Sequence, residues 1–85
     1  MIRAVLYGTL GCHLCDDAEV LLAPLLPALA AELGGDCEIE CVDIADDDAL
    51  MIRYAERIPV LRRTTDDSEL SWPFTADHAY NFLRG

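Results

Sequence analysis

The chain has 85 residues and a net charge of −10. That length supports one core and one domain, residues 1–85, and a hydrophobic share of 53% excludes a disordered chain. The acidic balance excludes a nucleic-acid binder, whose partner's phosphates need a basic face, and speaks against anionic membranes.

The opening MIRAVLYG is a poor signal peptide, and no apolar run reaches the roughly 18 residues of a membrane span. A cytoplasmic chain and no membrane partner are expected. Ile2–Tyr7 is short, β-branched and aromatic, and is bounded by Gly8, which predicts a buried strand. From about Leu14 to Leu33 the spacing predicts a helix, with Ala18, Leu21, Leu22, Leu25, Leu29 and Leu33 on its inner face. Gly34-Gly35 is its stop signal. Pro24 and Pro27 each remove a backbone donor, so they kink this helix or split it.

Asp36–Ile44 alternates, with Cys37, Ile39 and Cys41 facing one way and Glu38 and Glu40 the other, as in a half-buried strand. Asp46, Asp47 and Asp48 supply a cap and first-turn acids to a short helix running to about Arg57. Ile58-Pro59-Val60-Leu61 begins a third strand, TTDDS is a turn, and Glu69–Trp72 returns as a hairpin partner. Thr75 caps a last helix whose inner face carries Ala76, Ala79, Tyr80 and Leu83. The order βαβαββα, with a right-handed first crossover, predicts an α/β fold: a mixed four-stranded sheet with helices on both faces.

The chemistry gathers at Cys12-His13-Leu14-Cys15, between the first strand and the first helix. A helix start presents unpaired amides and a positive dipole end, which stabilise a thiolate; Asp16 and Asp17 oppose it. One helical turn brings the second sulfur within reach of the first, the geometry of thiol–disulfide exchange. Cys12, Cys15, Cys37 and Cys41 also count as four zinc ligands. Against this, four residues of strand separate Cys37 from Cys41 by about 13 Å at roughly 3.3 Å per residue. No metal site is expected, and Cys37 and Cys41 read as small buried apolar residues.

With these motifs in place, the chain resembles the thioredoxin-fold superfamily, and within it the small glutaredoxin-like proteins. The strand AVLYGTLGC, the motif Cys12-His13-Leu14-Cys15 and the segment Ile58-Pro59-Val60-Leu61 carry the resemblance, and the element order extends it over nearly the whole chain. It implies a thioredoxin-like fold and a thiol–disulfide oxidoreductase, with Cys12 attacking a disulfide and Cys15 resolving the mixed disulfide. It further implies that Pro59 is cis beside the cysteines and that the backbone of Ile58 pairs with an extended substrate. Tyr7, His13, Leu14 and Trp72 are candidate substrate neighbours. Glutathione is the co-substrate the resemblance suggests. The glycine pair with which glutaredoxins approach it is replaced here by Ser71-Trp72-Pro73-Phe74-Thr75.

The expected partner is a disulfide-containing protein or a small-molecule thiol substrate, with a reductase the sequence does not name. A monomer without bound cofactor is expected. Two other readings stay open: a non-catalytic binding module using the groove beside Pro59, and a metal or cluster carrier using Cys12 and Cys15 alone.

Overall fold

A computed structural model describes residues 2–85. Strand β1 runs Ile2–Gly8, helix α1 His13–Leu22, helix α2 Leu25–Leu33 and strand β2 Cys37–Asp43. A 3₁₀ turn at Ile44–Asp46 leads to helix α3, Asp48–Tyr54. Strands β3, Val60–Arg63, and β4, Glu69–Ser71, precede helix α4, Ala76–Arg84.

The two prolines split the expected first helix. Pro24 stands at the N-cap position of α2, where no amide is needed, and Pro27 falls in its first turn, where amides have no intrahelical partner. Gly34 then ends α2 in the left-handed region, φ 68°, its amide donating to the Ala30 carbonyl at 3.0 Å. Asp47 caps α3 through the amides of Ala49 and Leu50, and Thr75 caps α4 through that of His78. Helix α3 ends at Tyr54, three residues before the expected Arg57, and Ile58 closes it by donating to the Tyr54 carbonyl at 3.0 Å.

The sheet is mixed, in the order β2-β1-β3-β4. β1 pairs parallel with β2 and antiparallel with β3, and β3 with β4 antiparallel. The pleat sends alternate residues of β1 to opposite faces. Ala4 and Leu6 pack with Ala18 and Leu22 of α1, Leu29 of α2, and Ala79 and Leu83 of α4. Val5 and Tyr7 pack with Val60, Ile44 and Tyr54 on the other face. Leu29 and Leu61 are 0% exposed, and each fully buried leucine of this kind contributes about 1.5–3 kcal/mol.

The alternation of β2 is present but its burial is incomplete. β2 is an edge strand, covered along part of one face by α1 and α2. Cys37 is therefore half-buried and Cys41 exposed, which corrects the expectation that both are buried.

Candidate functional site

β1 ends under the first turn of α1, and Thr9–Gly11 carries the chain across. Cys12 is the N-cap residue, extended at φ −90° and ψ 110°, and its Sγ accepts the amide hydrogen of Cys15 at 3.2 Å. The Cys12 carbonyl accepts from the amide of Asp16 at 3.1 Å, so the backbone already turns into the helix. Here a sulfur occupies the position that a serine or aspartate oxygen usually takes at a helix start, facing the positive end of the dipole. Cys12 is half-buried and Cys15 buried, both as thiols.

The two sulfurs differ in environment. Burial pushes the Cys15 thiol up to about 11, the hydrogen bond with Cys12 adds to the shift, and the charge of Asp16 adds less. Cys15 thus holds its proton at neutral pH beneath the more exposed Cys12. Gly8 lies directly under it: a Cβ at Gly8 would stand 3.0 Å from Cys15 Sγ and 3.2 Å from Cys15 Cβ. A side chain at Gly8 would make Cys15 give by a few tenths of an ångström, so glycine suits the close approach of the helix start to the strand. Sequence reading took Gly8 as a strand boundary; no local pattern distinguishes that from a packing role.

The β1–β3 register pairs Tyr7 with Val60. One further step sets Pro59 beside Gly8, and so places Ile58-Pro59 next to the cysteine pair. The Ile58–Pro59 peptide is cis, as is Trp72–Pro73. The Pro59 carbonyl accepts from the Trp72 amide at 3.1 Å, tying this corner to the end of β4. The amide of Ile58 is engaged with α3, donating to the Tyr54 carbonyl at 3.0 Å.

The remaining predicted residues divide. His13 and Leu14 project from the helix start, and Leu14 is 48% exposed. Leu10, 91% exposed, extends that apolar rim, and the sequence reading missed it. Trp72 is half-buried, edge-on to Phe74 with centroids 5.0 Å apart, and packs against the first core cluster. Tyr7 lies on the far face of the sheet from α1. Its ring stacks on Tyr54 at 4.4 Å, and its hydroxyl accepts from Arg62 Nε at 3.1 Å. Beside it, the Tyr54 hydroxyl donates to Glu69 at 2.5 Å, and Arg57 donates to the same carboxylate at 2.8 Å. None of that cluster was anticipated, since its members are dispersed in sequence.

Among the described residues, no group of three or more His, Cys, Asp or Glu side chains is arranged to hold a metal ion. Among the described residues, no helix is long and apolar enough to cross a membrane.

A family model for the glutaredoxin-like domain (DUF836) matches residues 3–84. The chain belongs to this glutaredoxin-like family. A crystal structure of a structural-genomics target protein from X. campestris is 37% identical, each chain covering 95% of the other, with a TM-score of 0.74. The solution structure of protein Ne2328 from Nitrosomonas europaea is 29% identical over 96% of this chain and 91% of that one, with a TM-score of 0.71. No curated protein matches the chain. The glutaredoxin-like fold, a mixed four-stranded sheet flanked by helices, agrees with the expectation from element order.

Proposed function

We propose that this glutaredoxin-like protein is a thiol–disulfide oxidoreductase. The observation that carries the reading is the placement of Cys12 Sγ on the amide of Cys15 at the start of α1, with the protonated Cys15 buried beneath it. Cys12 as thiolate attacks one sulfur of a substrate disulfide. The substrate S–S bond breaks, a mixed disulfide forms on Cys12, and the other substrate sulfur leaves as a thiolate that takes a proton. Cys15 then gives up its proton and attacks Cys12 Sγ, releasing the second substrate thiol and leaving a Cys12–Cys15 disulfide. The substrate is reduced by two electrons and the pair is oxidised by two.

The substrate would lie along Ile58-Pro59, with Leu10, Leu14 and His13 at its side. Trp72 acts here as a lid on the core's end more than as a cradle. No arginine lines the cavity at Cys15, and Asp16, Glu19 and Asp43 do, so anionic glutathione is the less favoured co-substrate and an uncharged disulfide flanked by apolar groups the more favoured one.

The test equilibrates the protein in glutathione redox buffers and reads the Cys12–Cys15 state by intact mass. Interconversion with a potential near the roughly −200 to −270 mV of glutaredoxins and thioredoxins supports the proposal. The companion variant Cys15→Ser should accumulate mixed disulfides on Cys12. Absence of any Cys12–Cys15 disulfide in oxidising buffer sinks the reading.

A further inference from the structure

A third thiol lines the cavity that reaches Cys15. Cys41 is on the edge strand β2 and faces α1, where its Sγ donates to Oε1 of Glu19 at 3.0 Å. Glu19 is one helical turn beyond Cys15, so the two Cβ atoms lie about 5–6 Å apart on one helix face. Cys15, Glu19 and Cys41 all line one cavity of about 270 Å³, floored by Gly8. A second cavity of about 180 Å³, walled by Leu22, Leu26 and Ile39, also has Glu19 and Cys41 on its boundary. The Glu19–Cys41 pair is thus the partition between an apolar cavity and the one that reaches the buried sulfur of the motif.

An exposed thiol in that position is a hazard to a two-thiol exchange. As a thiolate, Cys41 would attack Cys15 Sγ of a Cys12–Cys15 disulfide. That S–S bond would break, a Cys15–Cys41 bond would form, and Cys12 would leave as a thiolate. Cys41 gives up one proton and Cys12 takes one up, with no net change in electrons. The product would deprive Cys12 of its resolving partner.

We propose that Glu19 is a positioning residue that holds Cys41 as a hydrogen-bonded thiol and so keeps it out of exchange with the Cys12–Cys15 pair. The carboxylate can accept from S–H but repels S⁻, and only the thiolate is nucleophilic. Although the residue is exposed, partial desolvation of its sulfur pushes Cys41 up to about 11, and the bond to Glu19 and its charge act in the same direction. The other titratable groups lining the cavity, Asp16 and Asp43, are also acidic, and no cation among the described residues lines it to favour a thiolate. The masking of Cys41 stands on this geometry alone; its consequence for exchange rests on the oxidoreductase reading.

The test compares the wild type with Glu19→Gln, an isosteric change at an exposed helix position whose amide can donate to a thiolate. Reduced protein is treated with iodoacetamide at pH 8, and each cysteine is followed by peptide mass. Cys41 should alkylate about tenfold faster in the variant, a shift of roughly one pKa unit, while Cys37, which has burial but no carboxylate partner, stays unchanged. Glu19→Asp should restore part of the protection. Equal Cys41 rates in wild type and Glu19→Gln overturn the proposal. Both proteins are then oxidised with one equivalent of diamide, which accepts the two electrons. The wild type should give Cys12–Cys15, and Glu19→Gln a measurable share of Cys15–Cys41 that vanishes when Cys41→Ser is added. Equal shares of Cys15–Cys41 in both overturn the proposal. A wild type that forms no Cys12–Cys15 disulfide counts against the oxidoreductase reading, and the alkylation comparison still decides whether Glu19 masks Cys41.

Discussion

Placing a methyl group at Gly8 tests how tightly the cysteine pair is seated. The Gly8 backbone is outside the left-handed region, so alanine meets no backbone strain there. Its Cβ would stand 3.0 Å from Cys15 Sγ and 3.2 Å from Cys15 Cβ, too close on both counts. Cys15 is only 7% exposed and can yield chiefly by turning its sulfur into the adjoining cavity, away from Cys12. Overpacking of this kind costs about 1–3 kcal/mol. Loss of glycine's freedom in the unfolded chain returns about 0.4–1 kcal/mol. Gly8→Ala should therefore lose about 1.3 kcal/mol, the middle of a range from about 0 to 2.6, a fall in Tm of roughly 5–10 °C for a chain of this size. The assay is thermal unfolding of the reduced protein, paired with the rate of Cys12–Cys15 disulfide formation, which should fall with it. In a Cys15→Ala background the sulfur contact is gone, and Gly8→Ala should cost at least about 0.5 kcal/mol less, a coupling that additive sites do not show. A Gly8→Ala protein as stable as the wild type, with equal costs in both backgrounds, would refute the close seating of Cys15 on β1.

Two further outcomes follow from the structure. Glu69 is held below the usual carboxylate range, chiefly by the Tyr54 hydroxyl and then by Arg57, and Tyr54 is pushed up to about 12 by burial and by Glu69. The lowered Glu69 contributes stability present above its unfolded value near 4.3 and lost as pH falls through its folded value, whereas the raised Tyr54 contributes stability present below about 10 and lost above it. Tyr54→Phe should cost about 1–2 kcal/mol at pH 7, and urea titrations should show a shallower loss of stability below pH 4.5 than the wild type. Thr75→Ala removes the oxygen that accepts the His78 amide at 3.1 Å and should cost about 1 kcal/mol in the same titration, with Thr75→Ser restoring most of it.

The alternation of β2, the inner stripe of α1 and α2 up to Leu29 but not Leu33, which is 47% exposed, a cap within Asp46–Asp48 and the cap at Thr75 were legible in the sequence. Each is a local rule: the pleat has period two, the helix 3.6, and a cap reaches its own first turn. The same locality made the placement of Cys-x-x-Cys at a strand–helix junction readable. Element ends were less legible. α3 stops at Tyr54 because the Ile58 amide closes it and Pro59 turns into β3, and the early stop is a compromise between a helix and the strand it must feed.

What the sequence determined by itself is the order of elements, the two-sided burial of β1, and a cysteine pair at the start of α1. Local periodicity and local capping are enough for those. Tertiary structure alone decided that Gly8 is the seat of Cys15, that Tyr7 stacks on Tyr54 away from the thiols, and that Cys41 lies against Glu19 instead of in the core. Each of these depends on which elements the sheet order brings side by side. Contacts such as Glu19 with Cys41 join residues whose separation along the chain carries no periodic signal, so only the packing of α1 against an edge strand brings them within hydrogen-bonding distance.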